Sequence, residues 1–199
     1  MIRFLGAPIG MTLPSPTHDL AGLMLQPDWV YQLEMADPAT NDQNWSFEIE
    51  GGVMSTMLLE SYPPQLGKGE TKLEQVGPCV AFKVDPAWHR PVLITAHHGD
   101  DEKIVMLRPE VLDKAVEYAP GELLIGLAKG ITARDPAVGA LLKAHGLVQE
   151  GTLLGETVVH VRDTQSPPRD VFDLHAALIW DPLIRYAEPN YIAHTMGIE

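Results

Sequence analysis

The chain has 199 residues, of which 45% are hydrophobic and 21% are charged, and these values are typical of a folded globular protein rather than a disordered one. With 14 basic against 27 acidic residues the formal net charge is −13, which disfavours binding to nucleic acids or anionic membrane surfaces because both are negatively charged. No apolar run approaches the roughly 18–20 residues that a membrane-spanning helix needs.

Short β-strands dominate the elements predicted for the first half of the chain. Residues 1–10 and 29–35 carry strand-forming side chains. Residues 45–50 alternate cleanly, so that Trp45, Phe47 and Ile49 share one face, and the two glycines that follow predict a hairpin into residues 53–59. Three further strands are predicted at residues 80–84, 92–96 and 104–107.

Helical patterns enter after the last of these strands. An apolar stripe that begins after Pro109 and stops before Pro120-Gly121 predicts one helix. Asp135-Pro136 predicts the capped start of a second helix, which Gly146 ends.

A strand is predicted at residues 157–161, and a final helical region begins after Ser166-Pro167-Pro168. The proline of Asp181-Pro182 must kink that region or start a further helix, because it cannot donate a backbone hydrogen bond. The elements together predict a single α+β domain over residues 1–199, with a mainly antiparallel sheet from the first half and three to four helices from the second half.

Residues that could bind metal or move protons cluster in the segment His97-His98-Gly99-Asp100-Asp101, directly after an apolar run at residues 92–94. Strand ends commonly present polar chemistry, because the strand is rigid and the turn after it is exposed. Three interpretations are open. The segment is a polar turn whose aspartates bond the local backbone, an acid/base pair in which Asp100 or Asp101 orients a histidine, or part of a metal site.

For a metal site the candidate ligands are His97, His98, Asp100 and the distant His160, since imidazole and carboxylate groups suit a divalent cation. Adjacent residues of a strand point to opposite faces, so His97 and His98 cannot hold one ion unless the backbone turns at Gly99. A divalent metal is therefore the one cofactor that the sequence suggests. Other histidines available as distant ligands are His89, His175 and His194.

Negative charge is concentrated near the N-terminus, where residues 1–67 contain one basic residue, Arg3, against eight acidic residues. The same third of the chain carries Trp29 and Trp45, and no nucleophile elbow or zinc-binding cysteine spacing occurs anywhere in the sequence. These features favour an inhibitor-type or immunity-type protein for a basic protein partner, because an acidic surface competes with nucleic acid for a cationic cleft. The alternative is a small metal-dependent or acid/base hydrolase or lyase that uses residues 97–101.

Cys79 is the single cysteine, so an intrachain disulfide is excluded. The absence of disulfides fits a reducing compartment. We therefore predict a cytoplasmic protein that binds neither nucleic acid nor membrane.

Overall fold

The computed structural model of the protein describes residues 3–8, 20–27, 29–34, 45–54, 65–66, 73–74, 79–113 and 117–192. The strands are β1 (Arg3–Pro8), β2 (Met24–Leu25), β3 (Trp29–Glu34), β4 (Trp45–Glu50), β5 (Gly52–Met54), β6 (Gln65–Leu66), β7 (Leu73–Glu74), β8 (Cys79–Val84), β9 (Val92–His98), β10 (Asp101–Pro109), β11 (Tyr118–Leu127), β12 (Leu147–Leu153), β13 (Val158–Asp163) and β14 (Ile184–Tyr191). The helices are α1 (Pro136–Ala144) and α2 (Val171–Leu178). The chain divides into two compact units, one from Met1 to Val111 and the other from Leu112 to Glu199. The prediction of a single domain stays a prediction.

The predicted α+β fold class, with three to four helices in the second half, is wrong. Strands dominate both halves, and the described residues form two helices only. Pro109, which was predicted to lie in the first turn of a helix, is the last residue of β10, and Tyr118 already belongs to β11, while residues 114–116 of that predicted helix lie outside the described residues. Beyond Asp181 the chain forms β14 instead of a further helix. Beyond Asp181 the run of apolar residues was short enough to suit either a helix or a strand, and pairing of β14 with β11 decided the outcome.

The described residues of the N-terminal unit form two four-stranded sheets and a short two-stranded ladder of β6 and β7. One sheet has the strand order β1-β3-β8-β5, and the other has the order β2-β10-β9-β4. All of these ladders are antiparallel except that of β2 with β10. The consecutive residues Val80, Ala81 and Phe82 of β8 are all buried, so both faces of this central strand are covered.

The two glycines after β4 do not form the predicted hairpin. Strand β4 pairs with β9, whereas β5 pairs with β8, so the chain passes from one sheet to the other at Gly51. Gly51 has a φ of +88°, and the indole of Trp88 lies where its Cβ would be. The close approach of Trp88 and the left-handed backbone both require a glycine at this crossing.

Burial of Tyr31 predicts an alkaline loss of stability. The side chain is almost fully buried in the N-terminal unit, and its hydroxyl accepts a hydrogen bond from the backbone N–H of Gln26 at 2.6 Å. Desolvation raises the pKa of Tyr31 from 10.0 to about 12, against the opposing effect of that hydrogen bond.

Because the unfolded chain releases this proton at lower pH than the folded chain, the stabilisation is complete below about pH 10 and is lost as the pH rises toward about 12. We expect the free energy of unfolding of the N-terminal unit to fall by about 2–3 kcal/mol over this range. Urea unfolding at several alkaline pH values measures the change, and Tyr31→Phe is the control that should lack it. An identical alkaline loss in Tyr31→Phe would contradict the prediction.

The C-terminal unit is a four-stranded antiparallel sheet with the order β12-β13-β11-β14, together with the two helices. Alternate residues of its central strands point inward, and among them Leu123, Ile125, Val159 and Val161 are completely buried. Helix α1 begins as predicted, since the Asp135 side chain accepts a hydrogen bond from the backbone N–H of Ala137 at 2.9 Å. In the part of the chain that the structure describes, neither helix has the length and apolar character needed to cross a membrane.

Candidate functional site

The segment that carries the predicted chemistry forms the tip of the β9–β10 hairpin. His98 pairs with Asp101, which leaves Gly99 and Asp100 as a two-residue turn. Gly99 has a φ of +60°, as expected for glycine at the first central position of a type II′ turn. The structure therefore contains a turn at this place, whereas the bonds from its aspartates to the local backbone, which the first interpretation also includes, stay a prediction. The metal and acid/base interpretations stay predictions.

His97 and His98 lie on opposite faces of β9. The Nδ1 atom of His97 approaches a carboxylate oxygen of Glu102 at 3.8 Å, across the β9–β10 ladder. The ring of His98 instead stacks on Trp45 of β4, with 4.8 Å between the ring centroids. Strand β9 includes both histidines and the turn begins only after them, so the two rings cannot point at one ion or one reacting group.

The carboxylate nearest to His97 was not among the predicted catalytic residues. The predicted carboxylates were Asp100 and Asp101. Asp100 lies in the turn and Asp101 beside it, and both are exposed. Glu102 faces His97 because residues directly opposite each other in an antiparallel ladder share a face. The pairing register was the missing information, and the sequence alone does not supply it.

One face of β4, β9 and the tip of β10 is rich in glutamate, and we call it the acidic sheet face. The cross-strand register places Glu48 beside Thr95, and Glu50 beside Leu93. Glu48 and Glu50 are exposed, and neither forms an ion pair within the part of the chain that the structure describes. The members of the acidic sheet face are Ser46, Glu48, Glu50, Leu93, Thr95, His97 and Glu102.

Positive charge is scarce on this side of the sheet. The one Lys or Arg residue that the register of β4, β9 and β10 places there among the described residues is Arg108, near the far end of β10. Lys103 lies on the other side, opposite Ala96. The tip of the hairpin and the exposed edge strand β4 therefore present a locally negative surface.

The acidic N-terminal third that motivated the binding hypothesis is described only in part. The side chains of six of its eight acidic residues lie outside the described set, while Glu48 and Glu50 lie within it. Trp29 and Trp45 are both half-buried instead of exposed, since Trp29 stacks on Tyr31 and Trp45 stacks on His98.

The four metal candidates lie in different parts of the chain. His97, His98 and Asp100 belong to the N-terminal unit, and His160 belongs to β13 of the C-terminal unit. No group of three or more His, Cys, Asp or Glu side chains that could hold a metal occurs among the described residues. Of the other histidines, His89 is exposed, His175 is buried with Nδ1 2.6 Å from the carbonyl oxygen of Ala187, and His194 lies outside the described residues.

His160 has polar neighbours that the sequence did not reveal. Its Nε2 atom lies 2.8 Å from Oε2 of Glu122 on β11, and the amide of Asn190 on β14 donates to the same carboxylate oxygen at 2.8 Å. The two hydrogen bonds, that of Asn190 first, lower the pKa of Glu122. The sheet face opposite α1 and α2 thus carries three converging polar side chains from three neighbouring strands.

No protein-family model matches the chain, and no curated protein or solved structure is similar enough to count as a match.

Proposed function

We propose that the protein is an acidic binding protein of the inhibitor or immunity type, which holds a basic protein partner in the cytoplasm through the acidic sheet face. The observation that carries this proposal is the placement of Glu48 and Glu50, exposed and two residues apart on the edge strand β4, with Glu102 on the same face. Glu48 and Glu50 form no ion pair among the described residues, and like charges close together on one sheet face repel each other. A cationic partner would attract these carboxylates and neutralise the charge that makes them repel each other.

The exposed charges of this surface predict how the rate and affinity of the association depend on salt. Exposed charges at the rim of an interface mainly raise the association rate and the salt dependence, whereas buried aromatic and arginine anchors carry most of the affinity. Salt screens exposed charges over a Debye length of about 8–10 Å at physiological ionic strength. The proposed complex should therefore weaken as salt is added.

Neutralising the acidic sheet face tests the proposal. We expect the triple variant Glu48→Gln/Glu50→Gln/Glu102→Gln to lose affinity by at least about threefold, taking roughly 0.2–1 kcal/mol for each exposed charge pair. The partner is first captured from a native lysate at low salt, and its affinity for each variant is then measured by calorimetry at two salt concentrations. The loss should shrink at the higher salt concentration.

A matched control removes the same amount of charge elsewhere. Glu110, Asp113 and Glu117 are exposed and are not members of the acidic sheet face, so Glu110→Gln/Asp113→Asn/Glu117→Gln should bind nearly as the wild type does. Equal loss in both triple variants would mean that net charge, and not this face, governs binding. Capture of no basic partner at low salt would refute the proposal itself.

The alternative function, a small hydrolase or lyase that uses His97, His98, Asp100 or Asp101, stays a prediction. One observation bears on its geometry: the opposite orientations of the two histidines leave at most one of them to act with Glu102 on one reacting group.

A further inference from the structure

We propose that Glu122, His160 and Asn190 form a binding site for a divalent transition-metal ion on the open face of the C-terminal sheet. The three side chains project from β11, β13 and β14, which are neighbours in the sheet. The register pairs Leu124 with His160 and Leu123 with Pro189. Because Glu122 and Asn190 are close neighbours of these paired residues along their strands, both side chains lie beside that of His160. This site is independent of the acidic sheet face and of the function proposed for it.

The distances between the three donor groups suit one small ion. Nε2 of His160 and Nδ2 of Asn190 each lie 2.8 Å from Oε2 of Glu122, and they lie 3.5 Å from each other. A triangle with these sides has a circumradius of about 1.8 Å, so a point about 2.1 Å from all three atoms exists just above its plane, and this is the bond length of zinc to nitrogen or oxygen ligands. To bind an ion there, the imidazole and the amide, which both aim an N–H at Oε2 of Glu122, must each aim a lone pair at that point instead.

The orientation of the Asn190 amide decides which of two states the cluster adopts. With Nδ2 turned inward the amide donates to Glu122, as the structure has it. The oxygen and nitrogen of an amide are nearly isosteric, so a half-turn of the group puts Oδ1 at the same point as a metal ligand. An exchange between the hydrogen-bonded state and a metal-bound state therefore requires rotation of the Asn190 amide and release to solvent of the proton that Nε2 of His160 donates to Glu122.

The other two groups supply an imidazole and a carboxylate ligand once His160 has released the proton that its Nε2 donates to Glu122. One carboxylate, one imidazole and one amide oxygen form a mixed nitrogen and oxygen donor set, which suits zinc, cobalt(II), nickel or manganese(II) more than a soft, thiolate-seeking ion.

Partial exposure leaves the remaining coordination positions open. The side chains of His160 and Glu122 are 27% and 24% exposed, so water can complete the coordination from the solvent side. Three protein ligands with an open position are typical of exchangeable or catalytic metal sites rather than closed structural ones. The three strands hold the ligands on a rigid support, which favours a defined geometry. His160, a metal candidate from the sequence, thus gains two partners that were not predicted.

Metal titration of the purified full chain tests the site. We expect cobalt(II) to bind with a stoichiometry near one, to produce ligand-field absorption bands, and to be displaced by zinc. Both Glu122→Gln and His160→Ala should weaken binding by more than roughly tenfold, because loss of even an outer-shell partner costs about 10–100-fold. Circular dichroism checks that each variant is folded.

Asn190→Asp separates a metal site from a hydrogen-bond network. If the cluster binds metal, a second carboxylate tightens cobalt(II) binding at least severalfold, because it adds a charged ligand. If the three residues only bond one another, the wild type binds no cobalt(II), and any binding by Asn190→Asp belongs to a site that the new carboxylate creates. Tighter binding than that of a wild type that itself binds one equivalent supports the proposal, and unchanged or weaker binding by a folded variant overturns it.

Control variants exclude binding elsewhere in the chain. His97→Ala removes the other histidine that faces a glutamate, and Glu150→Gln removes a carboxylate paired with Arg162 on a neighbouring strand. Both should bind cobalt(II) as the wild type does. Loss of binding in His97→Ala but not in His160→Ala would overturn the proposal, as would failure of the wild type to bind near one equivalent.

Discussion

Asp163→Asn is expected to lower the free energy of unfolding of the C-terminal unit by about 2–4 kcal/mol. Removing one partner of a buried ion pair costs about 3–5 kcal/mol because it leaves the other charge uncompensated, and partial exposure of Arg169 reduces that figure. The Asp163 side chain is completely buried, whereas that of Arg169 is 27% exposed. Urea unfolding followed by circular dichroism measures the difference.

The size of this effect follows from the number of bonds that Asp163 makes. Its carboxylate accepts from Nε of Arg169 at 2.9 Å, from Nη2 at 2.8 Å and from the backbone N–H of the same residue at 2.8 Å. The backbone N–H of Gln165 donates to it as well, at 3.2 Å. Arg169 in turn donates to the carbonyl oxygen of His145, at the end of α1. One carboxylate therefore ties the end of β13 to the loop before α2 and, through Arg169, to α1.

The same bonds determine how this stabilisation depends on pH. The Arg169 guanidinium holds the pKa of Asp163 well below its usual range. Because the pKa is lowered in the folded state, the stabilisation is present above the unfolded value of about 3.9 and is lost as the pH falls through the folded value. The difference between wild type and Asp163→Asn should be constant near neutral pH and should shrink in strong acid.

An exposed pair provides the matched control. Arg162 and Glu150 also approach to 2.7 Å, but their side chains are 53% and 35% exposed. We expect Glu150→Gln to cost no more than about 1 kcal/mol, because water already solvates both charges. A cost equal to that of Asp163→Asn would contradict the burial argument.

Gly51→Ala is expected to destabilise the N-terminal unit by about 2–4 kcal/mol, from backbone strain and displacement of a packed ring together. The φ of Gly51 is +88°, and an alanine Cβ there would overlap the indole of Trp88. That indole donates to the carbonyl oxygen of Pro91 at 3.1 Å, so moving the ring also breaks a hydrogen bond. Chemical unfolding followed by tryptophan fluorescence measures the loss.

Gly22→Ala isolates the strain from the overlap. Gly22 has a φ of +68° in the same unit, but a Cβ there would meet nothing within 4 Å. We expect it to cost about 1–2 kcal/mol, the typical penalty of a left-handed L-residue. In the background of Trp88→Ala, Gly51→Ala should cost no more than Gly22→Ala does. A full additional cost in that background would show that Trp88 is not the obstacle.

Local pattern predicted the elements whose signal lies within a few residues. Strand β4 has the predicted alternation, with Phe47 buried between the exposed Ser46 and Glu48. Helix α1 has the predicted cap at Asp135 and a glycine with a φ of +66° just beyond its end. In each case the physical cause lies within the local sequence. The apolar and polar residues alternate in β4, and the backbone after α1 needs a residue that adopts a positive φ.

Elements that depend on a distant partner were predicted poorly. Strand β14 contains Pro189, which argues against a strand in general but is tolerated at the edge of a sheet. Strand β5 was assigned to a hairpin with β4, although its partner is β8, about thirty residues further along the chain. Neither outcome follows from the local sequence, because the identity of the neighbouring strand decides both.

The candidate sites likewise contain some residues that are adjacent in the sequence and others that only strand pairing brings together. The residues 97–101 stood out in the sequence because they are adjacent, and the turn at Gly99 was foreseeable from composition. Glu102 beside His97, and Glu122 and Asn190 beside His160, were not foreseeable, since the partners of His160 lie 38 and 30 residues away from it.

The amino-acid sequence alone determined the charge excess, the alternating strand β4, the capped helix α1 and the histidine-bearing turn. Each of these follows from the chemistry of neighbouring residues. The tertiary structure decided which strands pair and in which register, and the register placed Glu48, Glu50 and Glu102 on one face and joined Glu122, His160 and Asn190. The physical reason is that a one-residue shift in pairing moves every side chain of a strand to the opposite face, and burial of the apolar side chains fixes the register.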